Sequence, residues 1–252
     1  MVAIHAVNQG QAIGDQYDTL TRTVCGTQGV KAARNVAAIQ AAKLLGTPWT
    51  GFTRYGPPRG LSFVAASDDL VRRVGRIAVT LKEGLGWQAY VDSARVVFCR
   101  DLMHEDRWPN YCRLIVGDLP VRSGMAATLL VGDEAIGALV AYADRPGYFD
   151  ERRLVEATRL ADRTALCLAH VESREKARNL QLALRSSQEI GIAVGIIMER
   201  LKATEERAFD LLRTASQARH VKIRELAARV VMTGEMPHPN PCPHAVAVGR
   251  ST

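Results

Sequence analysis

The longest stretch without glycine or proline most constrains how this chain can fold. Residues 151–189 contain neither residue. Glycine and proline are the strongest helix breakers, so we expect a single long helix that begins near Asp150. Such a helix is far longer than the ~12 residues of an average one. The other elements of the chain must therefore pack against it or follow it.

The stretch from 180 to 234 predicts three helices. The first continues the long helix, and the second follows Thr204, a typical N-cap residue, with two glutamates in its first turn. The third ends at Gly234, with Pro237 just beyond. In the first helix, apolar or small residues alternate at spacings of four and three, as in the seam of a coiled coil: Leu180, Leu184, Ser187, Gly191, Val194 and Met198.

The residues of these three helices are more specific than their pattern. They read I-G-x-A-V-G-I-I-M-E-R, then A-F-x-L-L-R-x-A-S, then K-I-R-E-L-A-x-x-V-V. This order resembles the ANTAR domain, a three-helix RNA-binding module of bacterial antitermination regulators. The resemblance covers about the last quarter of the chain and contains no catalytic motif. It implies binding to stem-loops in nascent RNA, which would stabilise an antiterminator.

Three residues in the first helix match the A-x-G-x-x-M core of the ANTAR pattern. They are Ala193, Gly195 and Met198. The small residues at this core would either let RNA approach the helix closely or permit tight helix packing. Many members of the family carry lysine where this chain has Val194, so other cations must contact the phosphates. The candidates are Arg185, Arg200, Lys202, Arg213, Arg219, Lys222 and Arg224.

Charge supports a polyanionic partner without choosing one. The net charge is +7 and the pI about 9.4, which suits nucleic acid or an anionic membrane surface. Residues 172–234 hold 12 Lys or Arg against 8 Asp or Glu. No run of apolar residues approaches the ~18 needed to span a bilayer. We expect RNA as the partner, no membrane, and no DNA, because no recognition-helix motif is evident.

The chain ahead of the long helix predicts an α+β fold around an antiparallel sheet. A helix over 31–45 precedes a hairpin around 57–60, and Ser67 is expected to cap the next helix. A strand follows at A-R-V-V-F-C, then a second hairpin at Gly132-Asp133. The strings D-L-M-H-E-D-R-W-P and V-R-S-G-M-A-A-T-L-L-V-G-D-E-A-I-G-A-L resemble the second half of a GAF domain. The departure is Thr128, where family members commonly have proline.

This second resemblance implies a sensor domain that often encloses a small ligand. No residue set identifies a cofactor here. Trp87, Tyr90, Trp108 and Tyr111 would line a pocket or form the core. We expect an N-terminal extension over 1–30, either flexible or helical, and a GAF-like sensor over 31–172. A coiled-coil segment with the ANTAR-like domain follows over 173–236, then a Pro-rich flexible tail over 237–252.

Metal and enzyme chemistry have little support in the sequence. Phosphate-loop, dinucleotide-binding, zinc-protease and nucleophile-elbow motifs are absent. Cys99, His104 and Cys112 do not fit a common zinc spacing, and no metal is expected. The tail holds a further weak group at His238, Cys242 and His244.

The compartment follows from the N-terminus and the cysteines. The start M-V-A-I-H-A-V-N-Q-G lacks the basic and apolar regions of a secretory signal. The five cysteines are scattered and odd in number, which favours reduced thiols in the cytoplasm.

Together these features predict a cytoplasmic RNA-binding regulator of transcription antitermination, controlled by a GAF-like sensor. The helix over 150–198 is expected to join two protomers into a homodimer. One alternative is a ligand-sensing or protein-interaction module that does not bind RNA. Another is an enzyme in the sensor half, such as a free-sulfoxide reductase acting through Cys99 or Cys112.

Overall fold

The computed structural model describes residues 2–56 and 60–236 of this chain and divides it into two compact units. The first unit ends at Glu175 and the second begins at Lys176, inside the long helix. The Pro-rich tail over 237–252, with the weak metal candidates His238, Cys242 and His244, lies outside the described residues.

The first unit is built on a five-stranded antiparallel sheet. Its strands are β1 (Trp49–Gly56), β2 (Gly60–Ala66), β3 (Val96–Cys99), β4 (Ser123–Val131) and β5 (Glu134–Ala143), in the order β2-β1-β5-β4-β3. Pairing of β1 with β2 and of β4 with β5 confirms both predicted hairpins. Gly132 turns the second one with a φ of 61°, a conformation that favours glycine.

Six helices surround this sheet and lead out of it. They are α1 (Val2–Gly26), α2 (Val30–Leu45), α3 (Asp69–Leu81), α4 (Leu85–Val91), α5 (Pro109–Asp118) and α6 (Glu151–Leu201). A 3₁₀ turn lies at Leu102–His104. The prediction of one long helix from Asp150 is confirmed, since α6 has 51 residues. Asp150 Oδ1 accepts a hydrogen bond from the Arg153 amide at 2.9 Å, which caps its start.

Each face of the sheet has its own hydrophobic core, because neighbouring residues of a strand point to opposite faces. Leu139 lies in one core, with buried residues of α1, α2 and α6 such as Leu20 and Leu160. Val140 lies in the other core, with buried residues of α3, α4 and α5. The predicted α+β architecture is therefore confirmed.

Three local details differ from or complete the sequence prediction. Ser67 does not cap α3; Asp68 does, and its carboxylate accepts a 2.7 Å hydrogen bond from the Leu70 amide. The Ser67 hydroxyl instead donates to the Pro48 carbonyl. Helix α4 was not predicted, because it is short and follows Gly84 without a side-chain cap. Within the predicted N-terminal extension over 1–30, which the sequence allows to be flexible or helical, the structure forms the helix α1 (Val2–Gly26).

The second unit consists of the end of α6 followed by α7 (Glu205–Ala218) and α8 (Ile223–Thr233). The Thr204 hydroxyl caps α7 by accepting a hydrogen bond from the Arg207 amide, and Gly234 ends α8 in the left-handed conformation. Both the three helices and these two boundaries are as predicted. Within the described residues, no helix has the length and apolar character needed to cross a membrane.

Candidate nucleic-acid interface

One small core holds the three helices of the second unit together. Each helix contributes three buried residues: Ala193, Val194 and Ile197 from α6, Ala208, Leu212 and Ala215 from α7, and Leu226, Ala227 and Val230 from α8. Many of these side chains are small, so the helices can approach closely. The outward faces of α6, α7 and α8 therefore remain available to a partner.

Ala193 belongs to this core and not to a surface. Its side chain is fully buried, so it cannot touch RNA in this structure. Of the two interpretations offered for the small residues, close helix packing applies at Ala193. Val194 is also buried, so this position, where the resemblance to the ANTAR pattern led us to expect lysine, is occupied by a core side chain.

An open groove lies between α6 and the start of α7. It has a volume of about 450 Å³ and includes Gly191, Gly195 and Met198. A Cβ atom added at Gly191 or Gly195 would meet no heavy atom within 4 Å. Packing within the chain therefore does not require glycine at either position, and a partner could approach the helix backbone there.

The other wall of the groove combines an aromatic ring with carboxylates. Phe209 is 41% exposed, and Glu205 and Glu206 lie in the first turn of α7. Negative charge at this wall repels phosphates, whereas a neutral base can stack on a phenyl ring. None of these three residues was among the predicted site residues. The sequence does contain one indication of the groove: Gly191 and Gly195 are four residues apart and therefore lie on the same face of the helix.

The basic candidates gather at the turn between α7 and α8. Arg219 is the C-cap of α7 and Lys222 is the N-cap of α8. Ser216 locks this turn, because its hydroxyl donates to the Val221 carbonyl at 2.7 Å. Arg224 follows in the first turn of α8 and is exposed. The turn thus brings together three of the cations that the sequence predicted.

The basic side chains differ in whether they already form an ion pair within the chain. Within the described residues, Lys222 and Arg224 form no ion pair, whereas Arg213 pairs with Asp210 at 2.9 Å. The unpaired side chains can neutralise phosphates without first losing an internal partner. Lys222 and Arg224 are therefore the strongest candidates for phosphate contact.

The remaining candidates lie on α6 or just after it. The Arg200 guanidinium donates to the Gly234 carbonyl, and Lys202 pairs with Glu199. Arg200 therefore fixes the end of α8 against the end of α6, which gives it a structural role in this unit. Arg185 is exposed on α6, upstream of the groove.

The aromatic residues of the first unit separate into two groups. Trp108 and Tyr111 are fully buried core residues, and the Tyr111 hydroxyl donates to the Tyr142 hydroxyl at 3.0 Å. Burial raises the pKa of Tyr142 to about 12. Trp87 and Tyr90 are only half-buried and contact each other at 5.9 Å between ring centroids.

The two candidate thiols, Cys99 and Cys112, are poorly suited to nucleophilic chemistry. Burial, followed by a hydrogen bond to Glu105, raises the pKa of Cys99 to about 12. Burial also raises the pKa of Cys112 to about 11. Both thiols are thus protonated near neutral pH, while the thiolate is the nucleophile. His104 pairs with Asp101 at 3.0 Å, and within the described residues no three potential metal ligands converge.

Comparison with known families matches both parts of the chain. A GAF domain model matches residues 36–169, more than half of the chain, and an ANTAR domain model matches residues 178–231. No curated protein matches the chain.

Solved structures resemble the first unit in fold. One is the GAF domain of a phosphoenolpyruvate-protein phosphotransferase from Acinetobacter, with a TM-score of 0.52 and 13% identity over 66% of this chain and 98% of that one. Another is the GAF domain of a phosphoenolpyruvate-protein phosphotransferase from Coxiella burnetii, with a TM-score of 0.51 and 14% identity over 65% of this chain and 96% of that one. At such identities the likeness shows the fold alone.

Proposed function

Because the chain belongs to the GAF domain family and carries an ANTAR domain after it, we propose that it regulates transcription by antitermination. In this proposal the ANTAR domain binds stem-loops in nascent RNA, and the GAF domain controls that binding. The observation that carries it is the ANTAR match over 178–231, a unit in which Lys222 and Arg224 are exposed and, within the described residues, form no ion pair. Binding would prevent a terminator hairpin from forming.

Two surfaces of the second unit would divide the contacts with RNA. The basic turn at Arg219, Lys222 and Arg224 would neutralise phosphates, which positions the RNA without reading its sequence. The groove beside Gly195 and Phe209 would accept an unstacked loop base, because its wall is aromatic and its rim is acidic. Arg213 and Arg185 would add weaker phosphate contacts.

We propose further that two protomers associate through α6. The heptad positions Leu180 and Leu184 are 63% and 56% exposed in the single chain. Exposed leucines at coiled-coil spacing support a partner helix, because covering them with a second copy removes apolar surface from water and so lowers the free energy. Two ANTAR domains in one dimer would engage two neighbouring stem-loops, and the second contact would be intramolecular.

The proposed compartment is the cytoplasm, where nascent transcripts are made and thiols stay reduced. Cys25, Cys99, Cys112 and Cys167 are free thiols, which supports that compartment. The GAF domain would bind a small molecule of unknown class or respond only through its own contacts.

The test is a binding titration with RNA that carries two adjacent stem-loops. The wild type is expected to bind saturably and to lose affinity when the loop sequence is scrambled. The double variant Lys222→Gln/Arg224→Gln should make the negative slope of log K against log salt shallower by about 1 to 2, since each lost phosphate contact reduces its magnitude by roughly 0.7–0.9. The matched control is Arg76→Gln/Arg113→Gln, two exposed cations of the first unit, which should leave the slope unchanged.

The same titration separates this function from the alternative of a sensing or interaction module. A module without RNA binding would give no saturable, loop-dependent signal with any of the three chains. Equal slopes for the basic-turn variant and the wild type would instead contradict the assignment of phosphate contacts to Lys222 and Arg224.

A further inference from the structure

An apolar groove lies on the first unit, between the strand β3 and the first turns of α6. It has a volume of about 440 Å³ and is lined by Val96, Phe98, Leu154, Val155, Thr158 and Arg159. Arg159 is the charged member of this lining, and its aliphatic stem can lie along an apolar surface while the guanidinium stays in water. The RNA-binding surfaces proposed above make no use of this groove.

The groove has a packed floor and an exposed rim. Val96 and Leu154 are partly buried against the core that contains Leu139. Phe98 is 39% exposed and Val155 is 52% exposed. The rim therefore leaves apolar surface in water, and covering that surface with a partner is favourable.

The outer edge of β3 is closed to an added strand. Among the described residues β3 is the last strand of the sheet and pairs with β4. The Arg95 carbonyl accepts from the Thr128 amide, so by the alternation of an antiparallel strand the Phe98 carbonyl points away from β4. The Arg107 guanidinium donates to that carbonyl at 2.9 Å and pairs with Glu105 at 2.6 Å. A partner would therefore reach the groove with side chains, as a helix does, and not by extending the sheet.

The groove continues the apolar stripe that is proposed to pair two protomers. Four exposed residues of α6 lie within about 40° of one another around the helix axis, at 3.6 residues per turn: Val155, Leu166, Leu180 and Leu184. Leu180 and Leu184 alone occupy one heptad, whereas coiled-coil pairing is typically sustained over roughly three to four. Val155, Leu166 and the neighbouring Phe98 supply apolar surface for a longer pairing.

We propose that this groove is an interface with a second copy of the chain, in which the partner's α6 covers Phe98 and Val155 in a parallel dimer with two-fold symmetry. This interface rests on the α6 pairing proposed above and extends it from the leucine stripe to the sensor sheet. In a parallel pair, residues at the same height meet, so each protomer contributes the same patch. The strand β3 then contacts the partner directly, and a change in the sensor sheet alters how the two α6 helices pair.

The experiment is photocrosslinking of the full chain with p-benzoylphenylalanine in place of Val155. Unlabelled chains are mixed with heavy-isotope-labelled chains and left to exchange, because a product with both labels joins two chains. Digestion with trypsin places residue 155 in peptide 154–159 and Phe98 in peptide 96–100. We expect mixed-label products that join peptide 154–159 to peptide 96–100 or 154–159 of the partner. The matched control carries the same group in place of Leu114, an exposed residue of α5, and should give no mixed-label product.

Sedimentation equilibrium measures what the groove contributes to the dimer. Val155→Glu/Leu166→Glu should weaken dimerisation at least ~10-fold, because it puts charge into an apolar interface. Both positions are exposed in the single chain, and glutamate is a good helix former, so the fold is kept.

The outcomes separate this interface from the proposals on which it rests. A dimer of unchanged affinity in the double variant, without mixed-label products from position 155, would overturn the interface and leave pairing through Leu180 and Leu184 standing. A wild-type chain that stays monomeric at all concentrations would contradict both. Cross-links from position 155 to the partner's residues 178–231 would overturn the parallel arrangement, and cross-links within one chain to residues 237–252 would assign the groove to the chain's own tail. Neither measurement reads RNA binding, so a failure of antitermination leaves these results unchanged.

Discussion

Replacing both groove glycines by alanine should stabilise the ANTAR unit. Glycine within a helix costs about 0.5–1 kcal/mol relative to alanine, because the unfolded chain has more freedom to lose. Gly191 and Gly195 lie inside α6, and an added Cβ meets nothing within 4 Å at either position. Gly191→Ala/Gly195→Ala should therefore increase the free energy of unfolding of this unit by ~1–2 kcal/mol.

Native-state hydrogen exchange reports this change locally. Peptides from residues 178–231 should exchange roughly 5- to 30-fold more slowly in the double variant. The matched control is Gly75→Ala in α3, where the new Cβ would lie 2.2 Å from the Phe63 ring. Overpacking there should destabilise the first unit by about 1–3 kcal/mol and speed exchange of its peptides.

The same double variant should bind RNA more weakly, although its fold is more stable. The added methyl groups occupy the groove that is proposed to receive a loop base, at a steric cost of ~1–3 kcal/mol, or about 5- to 150-fold in affinity. Faster exchange in residues 178–231 would refute the reasoning, because the glycines would then be required by packing within the chain. Unchanged affinity would remove the groove from the interface.

Three other measurements follow from the structure. Leu212→Ala should destabilise the ANTAR unit by about 2–5 kcal/mol in chemical denaturation, because Leu212 is fully buried in its core. Leu180→Glu/Leu184→Glu should shift sedimentation equilibrium from dimer to monomer, and an unchanged mass would reject pairing through this stripe. The hydrogen bond from Arg122 lowers the pKa of Asp101 from 3.8 to about 2, so its stabilisation is present above pH ~4 and is lost as the pH falls towards 2. Asp101→Asn should therefore unfold with a weaker pH dependence between about pH 4 and pH 2.

Patterns that are local in sequence predicted most of the fold. The run without glycine or proline after Asp150 predicted α6, and Thr204 and Gly234 marked the helix boundaries of the second unit. Helix α4 escaped prediction because seven residues are too few to display periodicity. At the start of α3, Ser67 and Asp68 are both good caps, and the contact with Pro48 that decides between them is 19 residues away.

The candidate site was predicted less completely than the fold, because it depends on which side chains meet. The α7–α8 turn could be read as a basic cluster from the sequence. The burial of Ala193 and the hydrogen bond from Arg200 to the Gly234 carbonyl depend on tertiary packing, which the sequence pattern does not show. The same applies to Phe209, which faces the glycines only because α7 folds back beside α6. Periodicity shows which face of a helix is apolar, but it does not show what lies opposite.

Crosslinking to cellular RNA, followed by sequencing of the bound segments, tests the central claim most directly. The wild-type chain is expected to enrich segments with two adjacent hairpins close to transcription terminators. The variant Lys222→Gln/Arg224→Gln, expressed at the same level, should lose that enrichment because its phosphate contacts are weakened. Scattered segments without paired hairpins, recovered equally with both chains, would contradict antitermination through the ANTAR domain.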